Sequence, residues 1–200
     1  MDLQSALFIY VVIIFSAIVH EYGHAWVALK QGDPTAKYAG RLTLNPLAHI
    51  EWFGTVVLPM LLMYFTGVFF GYAKPVPINP YNFRDQRWGI VWVSLAGVLA
   101  NFSIAVALGL FLRFFPNFVL APLLGFVVLI NIWLGLFNLL PFPPLDGSKL
   151  LMALANWRPG GQFAKFIEIT STPIGLLLAI FVAMTFLPIL SNWIFRLIVG

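Results

Sequence analysis

Hydrophobic residues in this chain come in long unbroken runs, not in the alternating or 3.6-residue patterns of a water-facing surface. The run over residues 3 to about 29 is long enough to cross a hydrocarbon core of about 30 Å. It starts Met-Asp-Leu-Gln-Ser, without the basic n-region of a cleaved signal peptide, and is expected to be a retained span. Residues 30–51 are polar and mixed, with Gly32-Asp33-Pro34 stopping the helix and Asn45-Pro46 turning the chain. Between them Arg41-Leu42-Thr43-Leu44 alternates like a short strand. Residues 52–72 are apolar again but carry Gly54, Pro59, Gly67 and Gly71. Lys74-Pro75-Val76-Pro77-Ile78-Asn79-Pro80 is held extended by its prolines. Residues 88–115 and 118–140 read as two spans joined by a tight Pro116-Asn117 turn. The Pro-rich stretch 141–147 cannot be helical, 148–157 reads as a helix, and 173–197 as the last span. The expected fold is an all-α polytopic membrane protein, a single domain over residues 1–200 with a core at about 10–155. It has about four to five transmembrane helices, one re-entrant or broken segment and a small extended or β region.

Composition removes the alternatives. The 200 residues are 61% hydrophobic and 9% charged, with a mean hydropathy of +0.94. A soluble domain carries about 25% charged residues, so a soluble domain, a coiled coil, a disordered chain and a nucleic-acid-binding domain are all excluded. The absence of cysteine excludes disulfides, thiolate metal ligands and cysteine catalysis.

The chemistry sits at the end of the first span. His20-Glu21-Tyr22-Gly23-His24 is an HExxH sequence on a predicted helix. At about 3.6 residues per turn, positions four apart share a face, so both imidazoles can bind one metal ion. Glu21 stays near enough to take a proton from an attacking water. A carboxylate inside a membrane helix costs roughly 2.5–3.5 kcal/mol, and here one stands between two histidines; the bland alternative is a self-satisfied polar cluster. Catalytic zinc takes three protein ligands, and without cysteine the third is His49 or a carboxylate. Asp2, Asp33, Glu51 and Asp85 lie at a helix end or in polar loops, and Glu168 follows Lys165 at the spacing of a surface ion pair. Asp146 differs from these. It follows a deep apolar span on irregular backbone that a membrane tolerates only inside protein or along a cavity, although Asp is also a good helix cap.

Three stretches, His20-Glu21-Tyr22-Gly23-His24, Ala96-Gly97-Val98-Leu99-Ala100-Asn101 and Asn138-Leu139-Leu140-Pro141-Phe142-Pro143-Pro144-Leu145-Asp146-Gly147, resemble the site-2 protease family of intramembrane zinc metalloproteases. Gly32-Asp33, the run from Gly40 to Pro46 and Lys74-Pro75-Val76-Pro77 are similar to its short prokaryotic branch without a PDZ domain. The resemblance implies one Zn2+ per chain on His20, His24 and Asp146, with Glu21 as catalytic base. It implies a single-span membrane-protein substrate, cleaved in or near its transmembrane helix, and a multi-pass protein of the cell membrane in contact with lipid. The chain departs from the family at Val98, where the AGPxxN motif carries proline, and keeps Asn101.

Asn101 and Asn138, amides in apolar stretches, are candidate oxyanion donors, with interhelical hydrogen bonding as the alternative. A helical substrate must be opened to be cut, and an edge strand can hold the extended form. Arg41, Leu42, Thr43 and Leu44, or Val76 and Pro77, could supply that edge, against the alternative of loops at headgroup level. His49 reads as a loop residue, and Trp52, Trp88, Trp157 and Trp193 as interfacial anchors. Competing functions are a membrane HExxH protease with Glu168 as third ligand, a bis-histidine cofactor or metal-transport protein, and an inactive relative that binds membrane proteins.

A shared metal constrains topology. If the ends of spans 3–29 and 118–140 meet on one membrane side, the chain leaves that side near residue 30 and is back by 88. Residues 52–72 then cannot be a simple crossing. In this arrangement Lys30, Lys37, Arg41, Lys74, Arg84, Arg87, Lys149, Arg158 and Lys165 share one side, and Arg113 and Arg196 the other. The positive-inside bias makes the first side, onto which the site opens, cytoplasmic.

Overall fold

The computed structural model describes residues 3–66, 71, 73–155 and 162–200. The first apolar run forms one helix, α1 (Leu3–Gln31), which ends at Gly32 in a left-handed conformation, φ +109°. A short α2 (Thr35–Tyr38) follows, then a 3-10 turn Pro46–Ala48 whose Asn45 side chain accepts from the Leu47 N–H. Trp52–Val57 is a π-helix turn running into α3 (Leu58–Thr66). The polar connection 73–85 leads to α4 (Gln86–Phe114), capped by Asp85 through the Trp88 N–H at 2.9 Å. Then come α5 (Ala121–Asn138), α6 (Asp146–Leu154), α7 (Gln162–Thr170) and α8 (Pro173–Val199). Helix α6 takes in Asp146 and Gly147, the last two residues of the stretch expected to be non-helical, because the prolines end at Pro144. Helix α7 was not anticipated. Helices α1, α4, α5 and α8 are long and apolar enough to cross a membrane, so the protein is an all-α, multi-pass membrane protein.

Helix α4 is the centre, packed against α1, α5, α6 and α8. Ala105 and Leu112 of α4 meet Val128 and Ile132 of α5, and Ile194, Phe195 and Ile198 of α8 close over them. Helices α1 and α4 run antiparallel and nearly touch: a β-carbon on Gly23 would stand 2.9 Å from the Ala96 carbonyl oxygen. Large apolar side chains such as Phe15, Phe181 and Ile189 remain exposed on the outer faces, as a lipid-facing surface requires. Trp52, Trp88 and Trp193 are exposed too; Trp157 lies outside the described residues, as do Gly67 and Arg158.

The segment after residue 51 returns to the side it came from. The Lys74 N–H donates to the His49 carbonyl at 3.0 Å, and Gly71 approaches Pro59 and the Gly54 carbonyl. Its apolar helix, Trp52–Phe65, is too short to cross. The Arg84 N–H donates to the Gln31 carbonyl at 2.9 Å, so the end of α1 and the approach to α4 share one end of the bundle.

The expected strand at Arg41–Leu44 does not form, and no strand occurs among the described residues. Local turn contacts consume its polar groups instead. The Thr43 carbonyl accepts from His49 at 2.8 Å, and the Thr43 hydroxyl accepts from the Asn45 N–H at 3.1 Å. The small β region is thus an irregular polar layer capping one end of the bundle. Asp33 ties it together, accepting from the Asn79 N–H at 2.7 Å, Asn82 Nδ2 at 2.8 Å and the Thr35 N–H and hydroxyl. Burial raises the Asp33 pKa, but these donors outweigh it and hold the carboxyl below its ordinary range.

Candidate active site

Helix α1 presents His20 and His24 one turn apart, and α6 begins with Asp146. Leu145 occupies the cap position, and the Asp146 carboxylate makes no cap bond. Instead Asp146 Oδ2 lies 3.0 Å from His20 Nε2 and 2.9 Å from His24 Nε2, with the two Nε2 atoms 2.9 Å apart. All three residues are buried, and this is the one such His/Asp/Glu group among the described residues.

The far side of each ring shows where its proton sits. His24 Nδ1 is 2.6 Å from the Val93 carbonyl oxygen, which can only accept, so Nδ1 carries the hydrogen. His20 Nδ1 donates to Asn101 Oδ1 at 2.7 Å. In the neutral rings both Nε2 atoms are then lone pairs, converging with a carboxylate oxygen. Three acceptors without a proton between them repel one another; a divalent cation resolves the conflict. Space for it exists because residue 97 lacks a side chain. A β-carbon on Gly97 would stand 2.6 Å from both Nε2 atoms. Ligand chemistry, outer hydrogen bonds and free volume therefore all fit a zinc-type site. Lys149 Nζ holds the second Asp146 oxygen, Oδ1, at 2.9 Å.

Glu21 stands beside this group, half-buried, its Oε2 accepting from the Val76 N–H at 2.8 Å. Val76 is buried with Ala25 and Ala36, so the 73–79 segment lies as a strap across the end of α1. Little of the strap is a free edge. Lys74 and Asn79 donate to His49 and Asp33, and Pro75 and Pro77 have no N–H. Arg41 is buried and donates to the Lys74 carbonyl; Leu42 packs near Val76, while Leu44 and Pro77 are exposed.

Both Asn101 amide hydrogens are engaged, by the Ser16 carbonyl at 3.1 Å and Asn131 Oδ1 at 2.9 Å. Asn138 Nδ2 donates to the Leu134 carbonyl within α5 at 3.0 Å. His49 is buried and donates from Nε2 to Thr43, and Glu168 is exposed on α7; neither joins the group at Asp146. Sequence reasoning missed Ser16, Asn131, Gly97 and Lys149. Asn131 carried a signal, a lone amide in an apolar span, whereas the part played by Gly97 depends on which helix faces it.

Comparison with known proteins gives the same picture. The profile of Peptidase family M50 matches residues 8–120 and 115–182. YwhC of Bacillus subtilis (strain 168), whose name describes a zinc metalloprotease, is 38% identical over 88% of this chain and 80% of its own length. Rip2 of Mycolicibacterium smegmatis, similarly named, is 32% identical over 92% of this chain and 69% of its own. Zinc metalloprotease MJ0392 of Methanocaldococcus jannaschii is 27% identical over 76% of this chain but 35% of its own. No solved structure matches the chain. The chain belongs to peptidase family M50, the site-2 protease family of zinc metalloproteases.

Proposed function

We propose that the protein is a zinc-dependent intramembrane endopeptidase that hydrolyses a peptide bond in or near the transmembrane helix of a single-span membrane-protein substrate. The observation that carries the reading is the convergence of His20 Nε2, His24 Nε2 and Asp146 Oδ2 within 3.0 Å, beside Glu21 and among membrane-length helices. His20, His24 and Asp146 would hold one zinc ion per chain. When bound, zinc supplies Lewis acidity, lowering the pKa of a water toward about 7 and polarising the scissile carbonyl.

The chain's own residues do the rest. Glu21 accepts the proton of the attacking water and delivers it to the leaving amine, a contribution of about 10²–10⁴-fold. Its Oε2 is anchored by Val76, which leaves Oε1 for that proton. Asn138 keeps one amide hydrogen beyond the Leu134 bond and is the better oxyanion donor of the two asparagines; Asn101 serves to position His20. Exposed Leu44 and Pro77 line the approach for the opened substrate, backed by Leu42 and Thr43 and by the buried Arg41 and Val76 of the same layer. An apolar cavity of about 620 Å³ between α1, α5 and α8 reaches Ala17 and Ile18, less than one turn before His20, and suits lateral entry from lipid. The excess of Lys and Arg on the side of the polar layer makes that side cytoplasmic.

Zinc content and cleavage of a single-span test substrate are measured together for the wild type and Glu21→Gln. The variant is expected to keep one zinc and lose activity by about 10²–10⁴-fold. Full cleavage by metal-stripped wild type, or by Glu21→Gln, would overturn the reading.

A further inference from the structure

We infer that Ser16, Asn131 and Asn101 form a directional chain of hydrogen bonds that locks His20 in the single tautomer able to face a cation. This rests on the zinc-site reading and adds positioning residues to it. Asn101 and Asn131 are fully buried and Ser16 nearly so, at the meeting of α1, α4 and α5. Asn131 Nδ2 lies 2.9 Å from the Val127 carbonyl and 3.0 Å from Ser16 Oγ. Asn131 Oδ1 therefore faces Asn101, whose Nδ2 donates to it and to the Ser16 carbonyl. Only then does Asn101 turn its oxygen toward His20 Nδ1.

Direction is the point. His24 is anchored by a backbone carbonyl, which can only accept. His20 is anchored by a side-chain amide, and an amide can bond either way round. Reversing Asn101 would set its oxygen against the Ser16 carbonyl oxygen and Asn131 Oδ1; reversing Asn131 would set oxygen against the Val127 carbonyl. Two backbone carbonyls thus decide, through two amides, that His20 carries its proton on Nδ1 and a lone pair on Nε2. Simple helix-to-helix glue would need polar contact but no fixed direction.

The test uses the full, metal-stripped chain in detergent with nitrogen-15 histidines, at a pH high enough that the imidazoles are neutral, where long-range proton–nitrogen spectra distinguish the two tautomers. His20 and His24 are expected as Nδ1–H in the wild type. His49, which donates from Nε2 to Thr43, is the contrasting internal reference. Asn131→Leu is expected to give His20 mixed tautomers, to weaken zinc binding in chelator competition by about 10–100-fold, and to leave His24 and His49 unchanged. Asn131→Gln, which keeps both an amide oxygen for Asn101 and an amide donor, is expected to restore the His20 signature. If Asn131→Leu does not fold, the smaller Asn131→Ala, which removes the same acceptor from Asn101, replaces it with the same readout. The inference is overturned if His20 remains purely Nδ1–H and zinc affinity is unchanged, or if His20 and His24 shift together. A wild type that binds no zinc while His20 alone responds to Asn131→Leu would sink the zinc reading and leave the positioning chain standing.

Discussion

In the proposed zinc site, the space that Gly97 leaves beside the two imidazoles is the room for the ion. The missing β-carbon is the volume next to both Nε2 atoms, and the neighbouring rings cannot retreat because their Nδ1 atoms are tied to Asn101 and Val93. Gly97→Ala is accordingly expected to abolish stoichiometric zinc binding, read by metal analysis, while the helical content seen by circular dichroism stays at the wild-type level. Val76 acts at the same scale on Glu21. Val76→Pro removes the N–H that holds Oε2, and a hydrogen bond to a charged group contributes about 1.5–3 kcal/mol. A fall in kcat of about ten-fold or more, with zinc content unchanged, is the expected result of a steady-state assay.

Among the elements, the polar layer shows how a loop region is held without strands. Gly32 ends α1, Asp33 gathers donors from Thr35, Asn79 and Asn82, and the prolines of the strap limit its backbone to an extended path. Because the folded Asp33 pKa is depressed, its stabilising contribution is complete above the unfolded value of about 3.9. It is lost as the pH falls from there through the lower folded value. Thermal unfolding followed from pH 7 down to pH 3 should show this acid-dependent loss in the wild type. The Asp33→Asn variant should start less stable and show a weaker acid dependence.

At the scale of the whole molecule, the re-entrant 52–66 segment sets the topology. Its two flanks meet at the Lys74–His49 hydrogen bond, so α1 and α4 are successive crossings in opposite directions despite the apolar helix between them. The same arrangement puts Asp146 at the depth of the histidines, because α5 must return to the end of the bundle where α1 stops. Arg87 reinforces it by donating to the Ala153 and Leu154 carbonyls, joining the start of α4 to the end of α6. Reporter fusions at residues 80 and 116 are expected to read opposite sides of the membrane. A same-side result would contradict the topology, and an extracytoplasmic signal at 80 with a cytoplasmic one at 116 would reverse the proposed orientation.

The sequence by itself determined the membrane spans, the glycine and proline stops between them and the placing of two histidines on one helix face. Each depends on neighbours within a few turns, and periodicity reports such neighbours directly. It also marked Asp146 as anomalous, without saying what the carboxylate meets. Tertiary structure alone decided that meeting, between side chains 126 positions apart in the chain. It likewise decided the direction of the Asn101 and Asn131 amides, the Val76 hydrogen on Glu21 and the turn contacts that replace a strand at Arg41–Leu44. These depend on how deep one helix sits against the next, and that depth is set by packing at Gly23 and Gly97, which no local pattern records.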